Sequence, residues 1–201
     1  MPANASAPSP RKRMIRSTAL LMRERGARAT SLDAVLEHSG APRGSIYHHF
    51  PGGREQLLRE ATEYAGEYVV GRLQRAGAGP LEAIDSLFQE YRDSLIATDF
   101  RAGCPVVAVA VEAGAGSPDL RDQVVGAFDL WRETLSSQLT AAGVDAERSA
   151  ELAILLISGY EGALILSRAY GDLAPLQRMH EELREGIAAE LNEANQPEEY
   201  E

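Results

Sequence analysis

Between residues 43 and 50 the chain reads Arg-Gly-Ser-Ile-Tyr-His-His-Phe, and five of those eight side chains can donate hydrogen bonds: Arg43, Ser45, Tyr47, His48 and His49. That equipment suits binding to a partner rich in acceptors. Only Ile46 and Phe50, four residues apart, can anchor the segment to a core as a short helix. The elements that must hold it lie just upstream. Thr30 or Ser31 can cap a preceding helix through a hydroxyl that accepts a backbone N–H. Leu32, Val35 and Leu36 then give that helix one apolar face. Gly40 can stop it, and Pro42 disfavours helix at Ala41 while fitting the first turn of the next helix. Two short helices about Gly40-Ala41-Pro42, the second poor in apolar residues, meet the needs of a helix-turn-helix. By spacing alone the same pattern also describes a plain hairpin in an all-α domain.

The distribution of charge favours the first reading. The 201-residue chain has a formal net charge of −10, which by itself argues against a polyanionic partner. Residues 1–54, however, hold nine Arg or Lys and three acids, a net +6, leaving −16 for the remainder. A basic N-terminal block on an acidic body is the signature of a polyanion-binding module joined to something with another task.

Other chemistry finds little support. The histidines are His38, His48, His49 and His180, none with a helical i, i+4 partner, and no His-Glu-x-x-His occurs. With Cys104 as the only cysteine, neither an intrachain disulfide nor a zinc cluster can form. No phosphate loop or nucleophile elbow is present. A non-enzymatic protein without cofactor or metal is therefore expected. The Ala/Pro/Ser-rich start lacks the apolar run of a signal peptide, and no uncharged apolar stretch is long enough to cross a bilayer, so a cytoplasmic protein with no membrane partner is expected.

The chain as a whole reads as helical, with no confident strand. Residues 1–10 form a low-complexity tail, 11–53 the helix-turn-helix domain, 54–192 a helical body, and 193–201 an acidic tail. A first helix at about 11–25 offers Ile15, Ala19 and Met22 to a three-helix core with Leu32, Val35, Leu36, Ile46 and Phe50. A long helix at about 54–76 leaves the basic block and enters the body. Further helices are expected at about 80–98, at 106–113 (where Val/Ala alternation leaves a strand open), from Pro118 to about Leu139, at 146–170 and at 175–192. The helix at 146–170 is apolar on more than one face. Leu155, Gly159, Gly162 and Leu166 share one side, where glycines let another helix approach, and with Met179 and Leu183 of the last helix they are expected to form a four-helix dimer interface. Phe88, Tyr91, Phe128, Trp131 and Tyr160 lie on helices that should surround a common interior. Glu112 and Glu161 are acids set in apolar runs, open to a cationic ligand or to an ordinary helix-end role. Cys104 reads as a small buried hydrophobe, with a redox sensor as the alternative.

Gly26, Ala29-Thr30, Gly40, Arg43-Gly-Ser-Ile-Tyr-His-His-Phe50, Arg54 and Leu57-Leu58 together resemble the TetR family of bacterial transcriptional repressors, over residues 11–58. Pro51-Gly-Gly-Arg54, a residue longer than the usual version, with Gly103-Cys-Pro-Val and Val111-Glu112, is similar to the LmrA/YxaF branch. The resemblance implies an all-α fold, a three-helix DNA-binding domain followed by a helical domain for ligand binding and dimerisation. It implies that the second helix of the pair enters the major groove. Arg43, Ser45, Tyr47, His48 and His49 would then face DNA, Gly44 would let the helix start lie close to the duplex, and Thr30 and Arg54 would touch phosphates. Arginine can donate twice to guanine O6 and N7. It further implies a homodimer on a palindromic operator, located at the nucleoid when bound, and released by an unidentified small, apolar effector held among the aromatic residues named above. A ligand-independent DNA-binding protein or an activator of the same fold is the alternative.

Overall fold

The computed structural model describes residues 8–75, 79–113 and 117–195. Among them every regular element is helical. The elements are α1 (Pro10–Arg25), α2 (Leu32–Ser39), a 3₁₀ turn (Arg43–Ser45) leading into α3 (Ile46–His49), α4 (Gly53–Arg75), α5 (Pro80–Ala97), α6 (Pro105–Ala113), α7 (Pro118–Ala141), α8 (Ala146–Tyr170) and α9 (Ala174–Ala194). Most of both expected tails lies outside the described residues. Within them, Ser9 and Pro10 already belong to the start of α1, where Ser9 Oγ accepts the Lys12 N–H at 3.3 Å. The expected breaks at 77–80 and 114–118 fall partly outside, and Pro80 and Pro118 begin the helices that follow them.

The chain forms two compact units, each built from two separate stretches: Met1–Ala65 with Pro105–Val124, and Gly66–Cys104 with Val125–Glu201. Helices α4 and α7 each begin in the first and end in the second. The stretch that joins the N-terminal helices is thus not contiguous with them in sequence, and 105–124, read as part of the body, folds with the head.

In the first unit Met14, Leu21, Val35, Leu36, Ala41, Ile46, Phe50 and Leu57 form the core, with Ile15 and Leu32 partly buried against it. Burying such side chains contributes about 1.5–3 kcal/mol each. Ser31, not Thr30, caps α2, its Oγ accepting the Ala34 N–H at 3.2 Å. Gly40 ends that helix in the left-handed region at φ 63°, where a Cβ would be strained. The Val/Ala alternation of 106–111 resolves as helix, and α6 packs against α1. From its C-terminal turn Glu112 accepts the Arg28 backbone N–H at 2.5 Å, with its carboxylate lying directly over Gly26.

In the second unit α8 and α9 pack side by side. Asp145 caps α8 by accepting the Glu147 and Arg148 N–H groups, which hold its carboxyl below the usual range. Gly159 is the point of closest approach: a Cβ there would lie 2.9 Å from Met179 Sδ and 3.3 Å from Leu183 Cδ1. The Ser167 hydroxyl accepts the Leu176 N–H at 3.0 Å, fastening the start of α9 to the end of α8. Helix α5 meets α9 through Asp85, which lies 2.7 Å from His180 Nε2 and accepts from Arg184 Nε at 3.1 Å. One face of α8 is thereby consumed. The other carries Ile154, Leu155, Ile165 and Leu166, each about half exposed. Helix α8 is long and apolar enough to span a bilayer by composition. Its apolarity has a nearer cause: one stripe fills this unit's core, and a second stripe remains on the surface.

Candidate nucleic-acid interface and ligand cavity

Ile46 is 2 % exposed and Phe50 fully buried, so the 43–50 segment is nailed to the core at both ends of its last turn. The residues between and before them cannot follow. Arg43, Gly44, Tyr47 and His48 are exposed, Tyr47 at 66 %, while Ser45 and His49 are half-buried. The Ser45 hydroxyl donates to the Pro42 carbonyl at 2.7 Å, closing the 3₁₀ turn. His48 and His49 meet edge to face at 5.1 Å. The helix proper is only four residues, shorter than the eight expected, because Pro42 and Gly44 start the segment as a tighter 3₁₀ turn. A short, donor-bearing ridge on a basic block results.

Two residues assigned to phosphate by resemblance are engaged inside the unit. Thr30 is 1 % exposed, and its hydroxyl donates to the Gly26 carbonyl at 2.8 Å. The Arg54 guanidinium donates to the carbonyls of Thr30 (2.9 Å), Arg28 (3.2 Å) and Ala27. It therefore closes the α1–α2 turn from beneath, a role that spacing could not reveal because the acceptors are backbone atoms some 25 residues away. Arg11 is occupied too: it forms a two-point pair with Glu60 at 2.7–2.8 Å and lies over the Phe50 ring.

The second unit holds an apolar, partly open cavity with about 30 Å³ of room. Of the five aromatic residues expected around an interior, Phe88, Trp131 and Tyr160 line it. Tyr91 and Phe128 stand one layer back, edge-on to Tyr160 at 4.9 Å and to Trp131 at 5.3 Å. Trp131 is fixed by its Nε1–H, which donates to the Gly66 carbonyl at 2.9 Å. Glu161 is the one acid on the cavity wall. It is 7 % exposed, no N–H or O–H group donates to either of its oxygens, and burial pushes its carboxyl up to about 7, a hydrogen bond from the neighbouring Cys104 thiol acting in the other direction. Glu112, its sequence counterpart, serves the α1–α2 turn instead.

Of the residues expected at a dimer interface, Leu155 and Leu166 are about half exposed and Gly162 has open space around it. Gly159, Met179 and Leu183 face one another within the chain. The surface stripe of α8 is thus carried by Ile154, Leu155, Gly162, Ile165 and Leu166. Ile154 and Ile165 could have been read from the same helical spacing.

Comparison with known proteins settles the ancestry of this arrangement. A family model described as bacterial regulatory proteins, tetR family, matches residues 15–61, and one described as transcriptional regulator LmrA/YxaF-like, C-terminal domain, matches residues 80–182. The chain belongs to the TetR family. An HTH-type transcriptional regulator of Mycobacterium tuberculosis is 49 % identical over 92 % of this chain and 97 % of its own length. HTH-type transcriptional regulator LmrA of Bacillus subtilis is 30 % identical over 83 % of this chain and 90 % of its own. Among solved TetR-family structures, a regulator from Legionella pneumophila superposes with a TM-score of 0.78 at 23 % identity, covering 90 % of this chain and 99 % of that one. One from Chloroflexus aurantiacus gives 0.70 at 29 % identity, with coverages of 89 % and 94 %. As a TetR-family member the chain is an all-α, DNA-binding transcriptional regulator.

Proposed function

We propose that this regulator is a ligand-released repressor: a homodimer grips a palindromic operator through two copies of the 43–50 ridge and lets go when a small apolar molecule enters the second unit. The observation that carries the reading is the exposure of Arg43, Tyr47 and His48 on a segment whose apolar residues are wholly buried. In this reading Arg43 reads guanine, Tyr47 and His49 donate to phosphate, and bare Gly44 lets the 3₁₀ turn lie against the duplex. Second copies meet across the surface stripe of α8, where Ile154, Leu155, Ile165 and Leu166 stand about half exposed. Two recognition elements must then sit about 34–36 Å apart to enter successive major grooves. An effector that prefers a differently arranged dimer breaks that spacing, with α4 and α7 as the helices that run through both units.

The test is a binding-site selection with the full chain, followed by titration of the selected duplex at increasing salt. A steep fall of affinity with salt and a twofold-symmetric site are expected. Salt-indifferent binding, or a chain that stays monomeric at micromolar concentration, would remove the model.

A further inference from the structure

An ionised carboxylate with no counter-charge is costly in an apolar setting. Glu161 is a carboxyl in such a setting: it lies on the cavity wall among Phe88, Trp131 and Tyr160, where the Cys104 thiol is its one neighbouring donor and no cation reaches it. The other groups that can carry charge near it are few. Cys104 lies beside it, and Tyr160 shares its wall. Tyr91 stands behind Tyr160. Behind Phe88, His180 stacks on the ring at 4.4 Å and is itself engaged with Asp85, which Arg184 also holds. None of the residues lining the cavity carries positive charge. Aromatic faces and a lone carboxylate are complementary to one kind of guest.

We infer that this cavity selects an apolar monocation, its ammonium seated on Glu161 and its hydrocarbon among Phe88, Trp131 and Leu156. The inference rests on the reading of the second unit as the effector site and narrows the class of effector. The open room, about 30 Å³, is far below the ~150 Å³ that accepts benzene in an engineered cavity, so the guest is a short alkyl chain of about three carbons rather than a ring or a longer chain. Binding a cation draws Glu161 into its ionised form. Because its carboxyl sits up at about 7, protons compete with the guest below that pH. An alkylammonium, ionising near the lysine range, stays charged throughout.

Trp131 is the chain's only tryptophan and lines the cavity, so its fluorescence reports occupancy directly. Propylamine and 1-propanol are titrated into the full-length protein at pH 8 and pH 6, with the wild type and Glu161→Gln. Propylamine is expected to bind the wild type about tenfold or more tighter than propanol at pH 8, and to lose about tenfold between pH 8 and pH 6. Propanol should show no such pH dependence. In Glu161→Gln both the amine preference and its pH dependence should vanish while propanol still binds, which shows that the cavity is intact. Equal binding of amine and alcohol, an amine preference that survives in Glu161→Gln, or no saturable response to the amine overturns the inference. Release of operator DNA is measured separately. An amine that binds through Glu161 yet leaves the DNA complex intact removes the effector reading and keeps the cation site. A neutral compound that releases DNA without any amine preference does the reverse.

Discussion

At the scale of single residues, the DNA-binding unit separates arginines that look alike in sequence. Arg43 projects freely, whereas Arg54 is spent on three carbonyls of the α1–α2 turn. Arg43→Ala should lower operator affinity by about 1–3 kcal/mol while leaving the melting temperature unchanged. Arg54→Ala should lower the melting temperature, since it strands buried acceptors at a cost of about 1–3 kcal/mol. Its salt slope for DNA binding should stay that of the wild type. A slope shallower by about one unit would mean that Arg54 touches phosphate after all. Gly44 gives a third contrast: a Cβ there would meet nothing within the chain. Gly44→Ala should therefore fold normally and bind DNA less well, and unchanged binding would show that no close approach occurs there. Glu161 makes its prediction through pH. Its folded carboxyl is raised from 4.5 to about 7, so the folded state holds this proton more tightly than the unfolded chain. Wild-type stability should fall as pH rises through that window, by up to about 3 kcal/mol. Glu161→Gln lacks the effect, and should melt higher than wild type at pH 8 with the advantage gone below about pH 4.5.

At the scale of elements, helix periodicity in the sequence carried most of the fold. The apolar faces of α1 and α2, the Gly40 stop and the spans of the later helices were all legible, because each depends on neighbours within a turn or two. The shortness of α3 was not, since the balance between a 3₁₀ and an α turn at Arg43–Ser45 depends on small local preferences. Helix α8 shows the limit from the other side. Its two apolar faces were visible in sequence, but which glycine served which face was not. Gly159 admits α9 of the same chain, and Gly162 lies open on the outer stripe. That stripe is where dimerisation is to be tested. Leu166→Glu places a charge on the exposed stripe and should yield a folded monomer by sedimentation with weakened operator binding. A dimer of wild-type stability would locate the interface elsewhere. Gly159→Leu, by contrast, should unsettle the chain itself, through the contact with Met179 and Leu183.

At the scale of the whole molecule, the charge split between basic head and acidic body was plain from composition, while the way the chain divides was not. Sequence order suggests a boundary near residue 53, yet the first compact unit runs to Ala65 and takes in Pro105–Val124. Leu57 fills its core, and Glu112 accepts the Arg28 N–H. Such partners lie too far apart in sequence for any local pattern to announce them. A fragment of residues 1–53 should accordingly show weak, non-cooperative melting by circular dichroism, where the full chain melts sharply. The same arrangement bears on how regulators of this kind can be recombined. Swapping sensor halves between relatives by a single crossover after the recognition segment would hand the new hybrid a head without its own α6. The foreign residue opposite Gly26 would then have to replace Glu112. Viable hybrids need two junctions, with the α6 stretch travelling alongside the DNA-reading half.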